Sequence, residues 1–423
     1  MSTAAVAPRS QPFPAAALRR QFPALTRAAG FAFFDNAAGA QVPQGVLDAV
    51  TEHLLSHNVQ RGGRYPQSEA VDRSIARARA HVAAFLNARR PEEIAFGMNA
   101  TSFIRLVSLA IGQSLGARNE FIVSDMDHEA NIATWLTLER FGARFRWWHM
   151  REDGRLHTED LEKLLGDRTR LVACALASNA LGTVVDVRRA AQLAHAAGAE
   201  IFLDSVHYGP HGAIDVQALE CDYLVCSGYK IFSPHMGFLW GRYELLERLP
   251  TFREDFIPDA PPGKIEAGTF IYENVAGMAA AVDYLAQVGR DVAGAARGPE
   301  PDALRQDIRA GMQAIRSYER ELSLALLSML AGCGAEVYGI RDERLMDQRV
   351  PTVLFNVPGV PPAAVTEAAA RAQIGIRDGH MYSPRLMQRL GLAVETGAVR
   401  VSLVHYNTRD EIARLRDVLR GLR

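Results

Sequence analysis

The sequence predicts an α/β protein: a large domain on a mostly parallel sheet, followed by a smaller α+β domain. Three observations point there. Short apolar runs alternate with amphipathic stretches through the middle of the chain. The 423 residues suffice for two hydrophobic cores. A Gly/Ala/Pro-rich stretch at residues 288–303, VGRDVAGAARGPEPDA, reads as a linker or surface loop between them. The expected division is 31–287 for the large domain, with 1–30 and 288–423 in the small one.

In chain order, EEIAFGMN, NEFIVSDMD, RFRWWHM, TRLVACALAS, AEIFLDSV and CDYLVCSG read as strands, being short and apolar. TSFIRLVSLAIGQSL, EANIATWLTLERF, TEDLEKLLG and VRRAAQLAHAAG, with apolar residues at helical spacing, read as the helices between them. Such a sheet takes its ligands beyond the carboxyl ends of its strands. Further on, a long helix is expected from Leu304 to Leu330. Strands at VPTVLFNV and AVRVSLVHYN follow, with helices at AAVTEAAARAQ and RDEIARLRDVLRGL.

Composition narrows the function. A net charge of -1 offers no electrostatic attraction for nucleic acid or an anionic membrane. No apolar run approaches the ~20 residues of a membrane span, and the N-terminus lacks an apolar signal core, so a cytoplasmic protein is expected. Cys174, Cys221, Cys226 and Cys333 fit no zinc or C-x-x-C spacing and read as buried thiols. The histidines form no metal-ligand cluster, so no metal is expected. Neither a G-x-G-x-x-G fingerprint after the first strand nor a G-x-x-x-x-G-K-[ST] loop is present.

Only three of the 47 basic residues are lysines: Lys163, Lys230 and Lys264. Imine chemistry needs an amine that can deprotonate, and arginine cannot supply one. Lys163 sits on the outer face of a helix and Lys264 in a Pro/Gly loop. Lys230 follows the strand CDYLVCSG, at a strand exit. Such a lysine can equally be a solvated strand end; its company argues otherwise.

Asp204 ends AEIFLDSV, where a carboxylate either meets a ligand or caps a helix. Ala100, Thr101 and Ser102 open a helix after EEIAFGMN; they form a phosphate seat or an ordinary cap. His128, after NEFIVSDMD, offers a flat ring or is a plain loop residue. Asn179, after TRLVACALAS, offers an amide or marks a turn. Each is ambiguous alone, but five strand ends of one sheet carrying suitable groups form an active-site constellation.

At these positions the chain resembles the class V aminotransferases, and within them the cysteine desulfurases and selenocysteine lyases. The blocks FFDNAAGAQVP, RGGRYPQSEAV, MNATSFIRLV, SDMDHEANIATW, SNALGTVVDV, FLDSVHYGPH, SGYKIFSPHMGFLWG, IEAGTF and VRVSLVHYNTRDEI carry the resemblance in order. It implies a fold-type I transferase that binds pyridoxal 5'-phosphate, with Lys230 as the Schiff-base lysine and proton shuttle. Asp204 would pair with the pyridine nitrogen and His128 would stack on the ring. Asn179 and His207 would contact the ring hydroxyl, His207 where glutamine is more frequent. Thr101 and Ser227 would hold the phosphate beside Ala100, with Tyr229 where histidine is usual. Gly268 and Thr269 would reach the neighbouring subunit's phosphate, implying a homodimer. Arg400 would clamp the carboxylate of a small amino-acid substrate.

One departure is consequential. Desulfurases carry their sulfur-accepting cysteine in a loop R-x-G-H-x-C, and here the loop reads Arg377-Asp378-Gly379-His380-Met381-Tyr382. Cys333, the nearest C-terminal thiol, lies outside it. A phenol is a poor sulfur acceptor. The expectation is therefore a C–S or C–Se lyase first, an amino-acid epimerase or aminotransferase second, and a desulfurase with an unorthodox thiol third. A cofactor-binding protein without turnover is the reading from another class.

Overall fold

The computed structural model describes residues 13–294 and 302–422. A short strand β1 (Ala32–Phe33) precedes the large sheet, which contains β2 (Ile94–Gly97), β3 (Glu120–Ser124), β4 (Arg144–Trp148), β5 (Thr169–Ala175), β6 (Glu200–Asp204), β7 (Tyr223–Ser227) and β8 (Gly237–Gly241). The spatial order is β2-β8-β7-β6-β5-β3-β4, and β8 alone runs antiparallel to its neighbours. All six expected strands are present. β8 was not anticipated, since GFLWG is short and bounded by glycines, so its pattern does not separate it from the preceding loop.

The central strands are buried on both faces, which is why they read as continuous apolar runs rather than alternating ones. Their side chains still alternate between two cores. Ile201 and Leu203 of β6 pack with Leu224, Cys226, Val172 and Cys174 on one face. Phe202 packs with Tyr223, Val225, Leu171 and Ala173 on the other. The four cysteines are free and buried, as expected.

Two helical expectations need correction. EANIATWLTLERF is not one helix: a 3-10 turn (Glu129–Asn131), a short α-helix (Ala133–Leu136) and a second 3-10 turn (Thr137–Phe141) share it. Asp127 and Trp135 both bond the Asn131 side chain, at 2.8 and 3.0 Å, which anchors the first turn. The loop expected at 288–303 is shorter, because helix Tyr272–Ala293 runs through its beginning and the next helix starts at Ala303. Residues 295–301 lie outside the described residues.

The smaller sheet contains β9 (Glu336–Tyr338), β10 (Thr352–Asn356), β12 (Arg377–Gly379) and β13 (Ala398–Ser402) in the antiparallel order β12-β13-β10-β9, while β11 (Ile374–Gly375) pairs with β1. The long helix Ala303–Gly332 serves both units. Its Ile308, Met312 and Ile315 join the core beneath the large sheet, and its Leu322, Leu326 and Leu330 join the core of the small one. Arg349 staples the units together. It is fully buried, has no carboxylate partner among the described residues and donates to the carbonyls of Ile340, Leu181 (3.3 Å) and Thr352 (2.5 Å).

Candidate active site

The parallel strands β2, β3, β5, β6 and β7 end on one edge of the sheet, and a cleft opens there. Ala100, Thr101, His128, Asn179, Asp204, His207, Ser227, Tyr229 and Lys230 all line it. These residues come from five separate strand ends, as the sequence reading required.

Lys230 closes a 3-10 turn (Gly228–Lys230) directly after β7 and is only 7% exposed. Burial, aided by the Arg400 guanidinium, lowers its pKa to about 8; Asp204 opposes this. Asp204, at the end of β6, is buried, and burial raises its pKa against a 2.9 Å hydrogen bond from the Val206 N–H and the attraction of Lys230. A buried carboxylate of this kind seeks a proton-bearing partner.

His128 is neutral over the physiological range. Burial, then Lys230 and Arg400, push its pKa down to about 4. Its Nδ1 accepts the Ala130 N–H at 3.0 Å, which places the ring proton on Nε2. Behind it Asp127 is driven up to about 7 by burial, against hydrogen bonds from Ser124 and Asn131.

The helix Ala100–Gln113 points its N-terminus into the cleft. Its N-cap is Asn99, missed in the sequence reading, whose side chain accepts the Ser102 N–H at 2.9 Å. Ser227 Oγ accepts the Ala100 N–H at 3.2 Å, joining two of the expected phosphate contacts. Tyr229 stacks on His235, with ring centroids 5.0 Å apart. Asn179 turns partly away from the cleft. Its Nδ2 donates to the Met381 carbonyl at 2.7 Å, and its Oδ1 accepts the Ser383 hydroxyl at 3.1 Å.

Arg400, on β13, reaches the cleft region from the small sheet and is 2% exposed. It donates to the Asn179 carbonyl (3.0 Å) and to Asp35 (2.9 Å), while the other Asp35 oxygen holds Arg377 at 2.8 Å. Asp35 was not singled out from the sequence. Its block FFDNAAG was noted, but a contact across 365 positions leaves no local pattern. The loop with Tyr382 is strapped down: the Glu129 N–H donates to the Tyr382 carbonyl at 2.8 Å, and Arg389 bonds Asp125 at 2.6 Å. Met381 and Tyr382 are consecutive left-handed residues (φ 53° and 56°). The Tyr382 ring stacks on His128, centroids 5.6 Å apart. Among the described residues no cysteine lines the cleft, and Cys333 is buried in the small core. Gly268 and Thr269 lie outside the cleft of their own chain, where Thr269 accepts a hydrogen bond from Gln60 at 2.6 Å.

The family model for "Aminotransferase class-V" matches residues 32–298 and 302–415. The chain belongs to the class V aminotransferase family. Among relatives, "Cysteine desulfurase" of Synechococcus elongatus is 33% identical over 96% of this chain, which spans 63% of that longer protein. "Aminotransferase-like protein FGM3" of Gibberella zeae is 35% identical over 93% of this chain and 95% of its own length. The apo structure of a cysteine desulfurase from Thermococcus onnurineus superposes with a TM-score of 0.85 at 26% identity, covering 98% of both chains. The fold is therefore that of the fold-type I enzymes, and the family's cofactor is pyridoxal 5'-phosphate.

The residues present fit that group. His207 Nδ1 and Arg400 Nε are buried without a hydrogen-bond partner among the described residues. Lys230 offers an amine whose pKa lies close to neutrality, and Asp204 a carboxylate with no ion pair among the described residues. Lys230 would carry the cofactor, Asp204 would face its ring nitrogen, His128 its ring, and Thr101 with Ser227 its phosphate. Among the described residues no group of three His, Cys, Asp or Glu side chains is placed to hold a metal ion, and no helix is long and apolar enough to cross a membrane.

Proposed function

We propose that this family member cleaves a C–S or C–Se bond of a small amino acid by elimination. When bound, pyridoxal phosphate supplies an electron sink for the pair left on the substrate's Cα. The protein's share is positional. Arg400, steadied by Asp35, holds the substrate carboxylate. Lys230, buried and neutral above about pH 8, takes the proton from Cα. Asp204 keeps the ring nitrogen protonated, and His128 presents a flat neutral face.

What supports elimination over desulfurization is that no cysteine is among the described residues lining the cleft, and that Tyr382 stands at the loop position where the resemblance puts the acceptor cysteine. Without an acceptor, sulfur leaves as a free thiol or sulfide, and water hydrolyses the remaining enamine to pyruvate and ammonia. Product analysis with cysteine, cystine, cysteine sulfinate and S-substituted cysteines tests this. Pyruvate and ammonia support elimination; alanine with sulfane sulfur (sulfide once a thiol reductant is added), or alanine with sulfite from cysteine sulfinate, overturns it. The identity to an aminotransferase-like relative favours transamination or epimerization as the second reading, visible as a keto acid without thiol or as loss of optical activity.

The assembly that goes with this reading is a homodimer in which Gly268 and Thr269 meet the neighbouring cleft. Thr269→Ala then weakens cofactor binding without changing the mass measured in solution.

A further inference from the structure

His207 sits in the cleft, 3% exposed, and has one hydrogen-bond partner among the described residues: its Nε2 lies 3.0 Å from Thr352 Oγ1. Its other nitrogen, Nδ1, is buried with none. Thr352 is the first residue of β10, so the contact crosses from the small sheet to the large domain. The ring is neutral, because burial, then His211, Lys230 and Arg400, lower its pKa well below the ordinary value. These are also the charged and titratable groups around it; His211 meets it edge-on with centroids 5.4 Å apart and is itself bound to Glu319 at 2.8 Å.

A neutral imidazole carries one proton, and two arrangements are open. If Nε2–H donates to Thr352, the threonine hydroxyl proton has no acceptor among the described residues, although the residue is fully buried. Nδ1 is then also an unmet acceptor. If the threonine hydroxyl donates to Nε2, both Thr352 and Nε2 are satisfied. The proton then sits on Nδ1, leaving one unpaired donor inside the cleft. The second arrangement strands fewer buried groups and is favoured by the cost of unpaired polar atoms.

We propose that Thr352 is a positioning residue that fixes His207 in its Nδ1–H tautomer, so that the cleft offers a neutral donor to the ring oxygen of the bound cofactor. Arg349 supports the arrangement by holding the Thr352 carbonyl at 2.5 Å. Asn179, the other residue expected at that oxygen, already has one N–H on the Met381 carbonyl. The donor at this point is therefore controlled from the small sheet, and the seating of β10 against the large domain sets the acidity of the cofactor's chromophore. The inference rests on the cofactor and is independent of the substrate.

The test is a spectrophotometric pH titration of the purified holoenzyme's visible band, with no substrate present. Thr352→Val keeps the shape but removes the hydroxyl donor. A ring oxyanion that loses a donor holds its shared proton more tightly, so the midpoint moves upward by roughly one unit. Thr352→Ser retains the hydroxyl and keeps the midpoint of the original protein. In His207→Gln, which has an amide donor at that site, adding Thr352→Val produces no further shift. An unchanged midpoint in Thr352→Val, or an equal shift in Thr352→Ser, overturns the proposal. So does a Thr352→Val shift that persists in full on the His207→Gln background. Because no amino acid is added, each result is distinct from failure of the elimination reading.

Discussion

Lys230 and Lys264 are buried to nearly the same extent, 7% and 5% exposed, but their surroundings differ in kind. Lys264 Nζ lies 2.6 Å from Asp259 and donates to the Glu247 carbonyl at 2.7 Å. Its charge is matched, and the residue ties two loops together. Lys230 makes no ion pair among the described residues; it faces the Arg400 guanidinium and an aromatic ring 5.6 Å away. A buried ammonium without a counter-ion is costly, and the cost is relieved by losing the proton. Burial alone thus does not make a lysine reactive; burial without a partner does. Lys163, 75% exposed beside Asp160, is the solvated third case.

Substitutions separate the two sites. Lys230→Ala is expected to lower turnover by roughly 10³-fold or more, since it removes both the anchor and the proton carrier. Arg400→Gln comes next: loss of a charged fork raises the KM for the amino acid by roughly 10- to 100-fold while leaving the cofactor in place. Steady-state kinetics and the cofactor spectrum check both. Equal damage from Lys264→Met would erase the contrast.

The pH dependence of cofactor capture sharpens it. The Lys230 amine is lowered from an ordinary 10.5 to about 8. Between those values the unfolded chain holds a proton that the folded chain has released. Stability from this group therefore rises with pH across the window and is lowest below about 8. Only the free amine attacks a carbonyl, so the rate of cofactor capture by apo-protein rises with pH and levels off above about 8. Stopped-flow absorbance measures it; a midpoint near 10 would place Lys230 in ordinary solvent. The smallest effect is that of Lys264→Met, expected to lower Tm by a few degrees and to change kcat by less than about twofold.

Much of this was legible in the sequence because it is local. Apolar runs marked six strands of the large sheet, and the polar residue at each strand end follows within a few positions of a run. Neither the existence of β8 nor its direction was legible, because GFLWG is too short to stand out and periodicity reports burial and not the partner strand. Asp35 and Thr352 were missed for a related reason. Asp35 acts on Arg400 across 365 positions and Thr352 on His207 across 145, and nothing in the flanking residues encodes either contact. Lys264 read as a plain loop residue, since the fold brings the Glu247 carbonyl to it across 17 positions and a loop pattern does not show that Asp259 turns back onto it. Arg400 had no local signal either; the family resemblance supplied it, and the structure adds the aspartate that holds it.

The central claim is that Lys230 is the one lysine of three that forms the covalent link. Borohydride reduction of the holoenzyme, followed by peptide mapping, tests it directly. The account predicts a reduced cofactor on the peptide containing Ser227-Gly228-Tyr229-Lys230 and none on Lys163 or Lys264. Label on either of those lysines, or on no lysine at all, would contradict it.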